Sequence, residues 1–477
     1  MGLCKVFARG FPHIQVGRDN GRMSSQSDAS DDGSAPDSLG VTPGSSEAQS
    51  PRRVVVLGSS GSIGTQALQV IAANPGRFEV IALTAGRNTR LLAEQARATG
   101  AQVVGIAVDG GGPASPEHPP LAQALQDAGV SHPVEVLTGE EAAVRCAGEL
   151  SADVVLNAMT GSIGLRPTLA ALASGATLAL ANKESLVVGG ALVAAAQRRA
   201  GQVVPVDSEH SALAQALGSG RHEKGLCSPV ITGRSEVSRL VITASGGPFR
   251  GWSPRQLAGV TPSQALKHPN FAMGRMVTTN SATMVNKALE VIEAHLLFDV
   301  ALEDITAVVH PQQIIHSLVE FCDGSTLAQA GPPRMLVPIA LGLSWPDRLD
   351  AVDAPIDWSQ SMRWEFEPLD DAAFPAVRLA KEACASSPTH MAVYNAANEQ
   401  AVDAFHQGRL GFAGILPTVE KVLEAHAGAA SAPVTLQEVL GVEAWARARA
   451  EELIAAAPTR SAVPTAAAPD STGAVGR

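Results

Sequence analysis

Between Arg52 and Asp207, short β-branched runs alternate with longer stretches whose apolar positions recur at helical spacing. That alternation predicts a parallel sheet covered by helices. Strands are expected at 54–57, 80–83, 103–107, 154–156, 177–180 and 203–206, with helices such as 65–73 and 166–173 between them. The N-terminal region, 52–207, therefore reads as a doubly wound, Rossmann-like α/β domain. From 208 to 363 the pattern changes, with strands at 240–243 and 307–309 around a long helix over 281–297, which predicts a central α+β domain. Residues 245–275 hold few long apolar runs and suit a flap. An acidic and aromatic linker over 364–385 leads to a C-terminal helical domain, 386–457, punctuated by Gly408, Gly411 and Pro417. The Ser-, Gly- and Asp-rich stretch 1–51 and the Ala-rich stretch 458–477 are expected to be disordered tails.

Composition narrows the function class. A chain of 477 residues that is 45% hydrophobic can bury two or three cores without help from disulfides. Cys4, Cys146, Cys227, Cys322 and Cys384 are scattered with no C-x-x-C pair, which suggests neither a disulfide framework nor a zinc site and fits a reducing cytoplasm. A formal charge of −11 with no dense basic tract argues against a nucleic-acid partner. No uninterrupted apolar run reaches the roughly 18–20 residues a membrane span needs. Val6 stands where a myristoylation signal wants Ser or Thr, and the acids of the first 50 residues do not suit a transit peptide. Small-molecule chemistry is left as the leading class.

The first strand runs into Gly58-Ser59-Ser60-Gly61-Ser62-Ile63-Gly64 and then a helix. Glycines let the backbone approach a pyrophosphate, and a helix start turns free NH groups and a positive dipole end toward it. The spacing is G-x-x-G-x-x-G, so a ligand-free tight turn is the competing explanation. An acid at the end of the second strand would bind a ribose 2′-hydroxyl. The chain has Gly86-Arg87-Asn88 instead, which favours NADPH over NADH by offering a guanidinium to a 2′-phosphate. Arg90 is the alternative donor, and a solvated surface arginine is the plain one.

After the strand at 203–206 come Asp207-Ser208-Glu209-His210, with two carboxylates on one face of an extended segment. Oxygen ligands with open positions suit Mg²⁺ or Mn²⁺. Alone, D-x-E is more often a solvated acidic loop. The helix expected to begin near Ser281, capped by Asn280 or Ser281, adds Asn286, Lys287 and Glu290 within three turns. Its hydroxyl, amide and ammonium suit a phosphate, and Glu290 offers a third carboxylate; an ordinary amphipathic helix with a surface Lys287–Glu290 pair is the alternative. The loops 243–249 and 268–274 are rich in glycine and small polar groups and suit substrate binding.

Together, residues 57–65, 85–88, 180–186, 205–211, 243–249, 268–274, 281–287, 310–312 and 395–399 resemble the 1-deoxy-D-xylulose 5-phosphate reductoisomerase family over about 52–456. The resemblance implies a homodimer with an NADPH domain, a central catalytic and dimerisation domain with a flap, and a helical C-terminal domain. It implies rearrangement of 1-deoxy-D-xylulose 5-phosphate, by a retro-aldol and aldol sequence, and reduction to 2-C-methyl-D-erythritol 4-phosphate, a step toward isoprenoid precursors. It further implies Asp207, Glu209 and Glu290 as metal ligands, and Ser245, Ser281, Asn286 and Lys287 at the phosphate. Lys183, Ser208, His268 and His316 would line the substrate site, with Glu293 a neighbour and Lys183, Glu209 and His268 catalytic. Asn182, Glu184 and Gly274 would join the glycine loop and the 86–88 turn at NADPH. Two positions depart from the usual family pattern, Phe271 for Trp and Arg334 for Asp. The competing readings are another NADP-linked dehydrogenase, which would turn over without a cation, and a nucleotide sensor, which would bind NADPH without turnover.

Overall fold

The computed structural model describes residues 50–110, 118–267, 274–428 and 433–456. The expected tails, 1–51 and 458–477, lie almost wholly outside these, as do His268 and Phe271. Seven strands form the first sheet: β1 (Arg52–Leu57), β2 (Phe78–Ala85), β3 (Val103–Ile106), β4 (Glu135–Thr138), β5 (Val154–Asn157), β6 (Thr177–Leu180) and β7 (Val203–Pro205). All its pairings are parallel, in the order β4-β3-β2-β1-β5-β6-β7. The chain winds outward from β1 to β4 and then returns to β5 on the other side of β1. The crevice between β1 and β5 is thus the switch point at which such sheets bind ligands.

Alternation along β1 decides which core each residue joins. Val54 and Val56 meet Leu92 and Ile339 on one face, and Val55 and Leu57 enter the other core. That second core continues without interruption through Leu240 and Leu289 to Tyr394, so residues from all three expected regions share it. The first core is closed by helix Leu336–Ser344 from the central region, where a Cβ at Gly342 would stand 2.7 Å from Val206.

A second sheet comprises β8 (Val237–Ala244), β9 (Ile305–Val309), β10 (Ile315–Phe321), β11 (Thr326–Ala330) and the short β12 (Glu367–Pro368), ordered β11-β10-β8-β9-β12. Only β8 and β9 pair in parallel. Helices Ala376–Ser386, His390–His406, Ile415–Glu424 and Leu436–Ala456 follow. Among the described residues, no helix is long and apolar enough to cross a membrane, and Cys146, Cys227, Cys322 and Cys384 are free.

Four expectations are corrected. The helix expected over 281–297 is two helices, Arg275–Ala282 and Val285–Phe298, because Met284 adopts a left-handed conformation (φ 63°) between them. Asn280 and Ser281 therefore sit inside the earlier helix and cap nothing; Ser281 Oγ donates to the Val277 carbonyl at 3.1 Å. Asp207 and Glu209 do not share the face of an extended segment, since the chain turns helical at Ser208 with Asp207 as the cap of Ser208–Leu217. The expected linker, 364–385, contains most of helix Ala376–Ser386, whose buried Val377, Leu379 and Ala380 tie it to the core. Within the region 245–275, Phe249, Leu257, Val260 and Ala265 are core residues, and Phe249 stacks edge-on against Phe412 at 5.2 Å.

Candidate active site

The glycine loop owes its shape to three constraints. Gly58 has φ +76°, and a Cβ there would lie 2.7 Å from the Ala158 carbonyl across the switch point. A Cβ at Gly64 would fall 2.4 Å from the Gly58 oxygen, so the helix can begin this close to β1 only with glycine. Ser59 points inward, its Oγ donating to Gln95 Oε1 at 2.7 Å while Gln95 Nε2 returns a bond to the Ser59 carbonyl at 2.8 Å. The side chain of Ser59 thus braces the loop instead of facing a ligand. Helix Ser62–Ala73 starts with no side-chain cap, which leaves its first NH groups available to an anion. Gly61, Ser62 and Ile63 line a cavity of about 710 Å³, whereas Gly58, Ser59, Ser60 and Gly64 are not part of its lining.

The turn after β2 lies outside the cavity lining. Gly86 and Arg87 are exposed there, and Asn88 caps helix Thr89–Thr99 by accepting from Leu91 N at 3.1 Å. Across the switch point, Asn182 caps helix Lys183–Ala196 and spends its amide on the carbonyls of Met159 and Gly161, both at 3.0 Å. Asn182 is a brace, while its neighbours Lys183 and Glu184 face the cavity. Burial pushes the Glu184 carboxyl above its ordinary value.

On the other side of the same cavity, charges converge from three separate segments. Lys183 Nζ reaches Asp207 Oδ2, Glu290 Oε1 at 2.8 Å and Asn286 Oδ1 at 3.1 Å. Lys287 Nζ reaches Glu209 Oε1 at 2.6 Å and Glu290 Oε2. Asn286 Nδ2 donates to Glu290, and Ser208 Oγ donates to Glu209 Oε2 at 2.5 Å. Lys287 and Glu290 are buried, so they are not the surface pair that an amphipathic helix would carry. Burial alone would lower the Lys183 ammonium, but Asp207, Glu290 and Glu293 outweigh it and hold its pKa well above the usual lysine value. Lys287 is raised in the same way, with Glu209 and Glu290 overcoming burial. Burial pushes Glu290 up, yet Lys183 and Lys287 pull it down to about 2.

Three carboxylates against two ammonium groups leave one negative charge in excess, in surroundings where an unmatched charge is costly. Carboxylate oxygens of Asp207, Glu209 and Glu290 lie within 4.8 Å of one another. An all-oxygen set with surplus negative charge fits a hard divalent cation.

Behind these carboxylates stand two residues with larger roles than the sequence suggested. His210 Nε2 lies 2.8 Å from the Glu290 carbonyl, which can only accept, so Nε2 carries the ring proton. Burial lowers the His210 pKa and keeps the ring neutral. Its Nδ1 lies 3.2 Å from Glu293 Oε2, and neither atom has a hydrogen-bond partner. Burial, and then Asp207, pushes the Glu293 carboxyl well above the carboxylate range. The available signals were the position of His210 directly after D-S-E and the i,i+3 spacing of Glu293 from Glu290.

Ser245, Gly274 and Ser281 also line the cavity. His316 does not; its Nε2 lies 3.2 Å from the Pro332 carbonyl. Arg334, the departure noted in the sequence, is on the cavity lining with its guanidinium 3.1 Å from Asp353.

Comparison with known proteins agrees with this geometry. Residues 54–190 match the profile described as 1-deoxy-D-xylulose 5-phosphate reductoisomerase, 203–298 its C-terminal domain, and 330–449 the DXP reductoisomerase C-terminal domain. The 1-deoxy-D-xylulose 5-phosphate reductoisomerase of Beutenbergia cavernae is 58% identical over 412 residues, covering 86% of this chain and 99% of the relative. That of Pseudarthrobacter chlorophenolicus is 57% identical over 411 residues, 85% of this chain and 98% of the relative. A solved structure of the Zymomonas mobilis enzyme in complex with NADPH is 41% identical, with a TM-score of 0.74, covering 85% of this chain and 100% of that one. Another, a DOX-P reductoisomerase with NADPH, fosmidomycin and magnesium, is 32% identical, also with a TM-score of 0.74, covering 85% and 98%. A glycine loop and a buried carboxylate cluster facing one cavity, with profile matches spread over most of the described fold, make this chain a member of the 1-deoxy-D-xylulose 5-phosphate reductoisomerase family.

Proposed function

We propose that this chain converts 1-deoxy-D-xylulose 5-phosphate to 2-C-methyl-D-erythritol 4-phosphate, consuming NADPH and requiring Mg²⁺ or Mn²⁺. The observation that carries the reading is the buried cluster of Asp207, Glu209, Glu290, Lys183 and Lys287 on the same cavity as the uncapped helix start at Ser62. Asp207, Glu209 and Glu290 would hold the cation. When bound, the cation stabilises negative charge on substrate oxygens as a carbon–carbon bond breaks and reforms.

The chain's own residues have separable tasks. The start of helix Ser62–Ala73 receives the pyrophosphate of NADPH, and Arg87 or Arg90 its 2′-phosphate. Lys287 spends two of its three protons on Glu209 and Glu290 and has one left for the substrate's phosphate, alongside Ser245, Ser281 and Asn286. Anchoring that non-reacting end orients the rest of the substrate. Lys183 and Glu209, with His268, are the groups assigned to move protons at the substrate's oxygens. The Glu293–His210 pair fixes Glu290 through its backbone carbonyl. We assign the protein to the cytoplasm as a homodimer; the free cysteines and the open edge of β11, with Leu327 exposed, favour this.

The test is the loss of NADPH absorbance when 1-deoxy-D-xylulose 5-phosphate is added to purified protein with Mg²⁺ or Mn²⁺, and again after chelation. Oxidation that requires the cation is expected. Folded, NADPH-binding protein that stays inactive with metal supplied would overturn the proposal.

A further inference from the structure

Helix His390–His406 contributes nothing to the cavity lining, yet its side chains reach both halves of the site. On the substrate side, fully buried Asn398 donates from Nδ2 to Asn280 Oδ1 at 2.9 Å. His406 Nε2 lies 2.8 Å from Thr279 Oγ1, and Asp403 Oδ1 accepts from Arg275 at 2.5 Å. All three partners belong to helix Arg275–Ala282, which carries Ser281 into the cavity. On the cofactor side, Glu399 Oε2 accepts from Arg447 at 2.6 Å, and a second Arg447 nitrogen reaches Ser162 Oγ at 3.5 Å. A Cβ at Gly161 would meet Glu399 Oε1 at 3.6 Å. The Gly161 carbonyl in turn accepts from Asn182, directly before Lys183 and Glu184. Consecutive residues on a helix project about 100° apart, so Asn398 and Glu399 can serve two surfaces at once.

We propose that helix His390–His406 is a strut that sets the substrate half of the site against the cofactor half, with Asn398 and Glu399 as positioning residues. Asn398 acts through Asn280 on Ser281; Glu399 acts through Arg447, Ser162 and Gly161 on the Asn182 turn that presents Glu184 on the cofactor side. The assignment of the two halves rests on the function proposed above. Reduction requires donor and acceptor carbons to meet in a narrow range of geometry, so small displacements of either half reduce turnover strongly. Asn398 and Asn280 are both buried, so removing one amide takes away the other's partner in this bond.

The experiment measures both KM values, fosmidomycin affinity and Tm for a small set of variants. Asn398→Ala is expected to raise the KM for 1-deoxy-D-xylulose 5-phosphate and weaken fosmidomycin by about tenfold, with the KM for NADPH within about twofold. Glu399→Gln is expected to do the reverse, raising the KM for NADPH by about fivefold. Asn280→Ser, a milder change should Asn398→Ala fold poorly, should reproduce the substrate-side effect. Variants in which both KM values rise together, or in which Tm falls with both unchanged, would reduce the helix to general support and overturn the inference. Wild-type protein inactive in the NADPH assay would instead overturn the function itself.

Discussion

The two halves of the cavity are built by opposite means. The cofactor half is a backbone construction: Gly58 and Gly64 are compelled by carbonyls less than 3 Å from any Cβ, and the side chains nearby, Ser59, Asn88 and Asn182, are spent on bracing and capping. The substrate half is a side-chain construction, in which Lys183 and Lys287 pair with Asp207, Glu209 and Glu290 across segments far apart in sequence and leave one negative charge over. The first half is therefore vulnerable to added volume, the second to altered charge.

The largest effect should come from the charge side. Glu209→Gln keeps the shape of the site but removes a carboxylate from the proposed cation set, and should lower kcat about a thousandfold while NADPH affinity, read by fluorescence titration, changes by less than about twofold. A parallel loss of NADPH binding would show that the halves are not separable. On the backbone side, Gly64→Ala forces a Cβ into the Gly58 carbonyl. It should destabilise the fold by about 2 kcal/mol in urea titration and weaken NADPH, with fosmidomycin binding much less affected. An unchanged NADPH affinity would mean that the loop has room the geometry does not show.

A smaller effect is expected at the exposed turn. Arg87→Ala should weaken NADPH about tenfold more than NADH, and the same discrimination from Arg90→Ala alone would move the 2′-phosphate contact one helical step along. The smallest concerns Glu443, at the joint beside Arg447. Burial raises its pKa above the ordinary value of 4.5. The folded state then binds its proton more tightly than the unfolded one, so this residue's contribution to stability is lost as pH rises from below 4.5 through the raised value. Glu443→Gln should flatten that segment of a Tm-against-pH curve, and an unaltered slope would assign it to other groups.

How much of this was legible follows the same division. β1, the glycine loop and the helix after it lie within about twenty consecutive residues, and their apolar run and glycines are visible without a fold. β4 escaped because it is a sheet edge with only Leu137 buried, so it lacks the apolar run of its neighbours. β11 is the largely exposed outer strand of the second sheet, paired antiparallel to the mostly buried β10, and its pattern is correspondingly weak. The break at Met284 had no glycine or proline to announce it. Thr283 Oγ1 donates back to the carbonyls of Thr279 and Asn280, closing one helix before the next begins.

The sequence by itself determined every strand of the first sheet except β4, the glycine loop and the residue types of the charge cluster, because these are properties of short contiguous segments. The tertiary structure alone decided that Lys183 would stand between Asp207 and Glu290. It also placed His210 and Glu293 together behind them, and set helix His390–His406 against Asn280 on one side and Arg447 on the other. The physical reason is burial: a carboxylate's role depends on which charges share its low-dielectric surroundings, and that is fixed only when distant segments close over it.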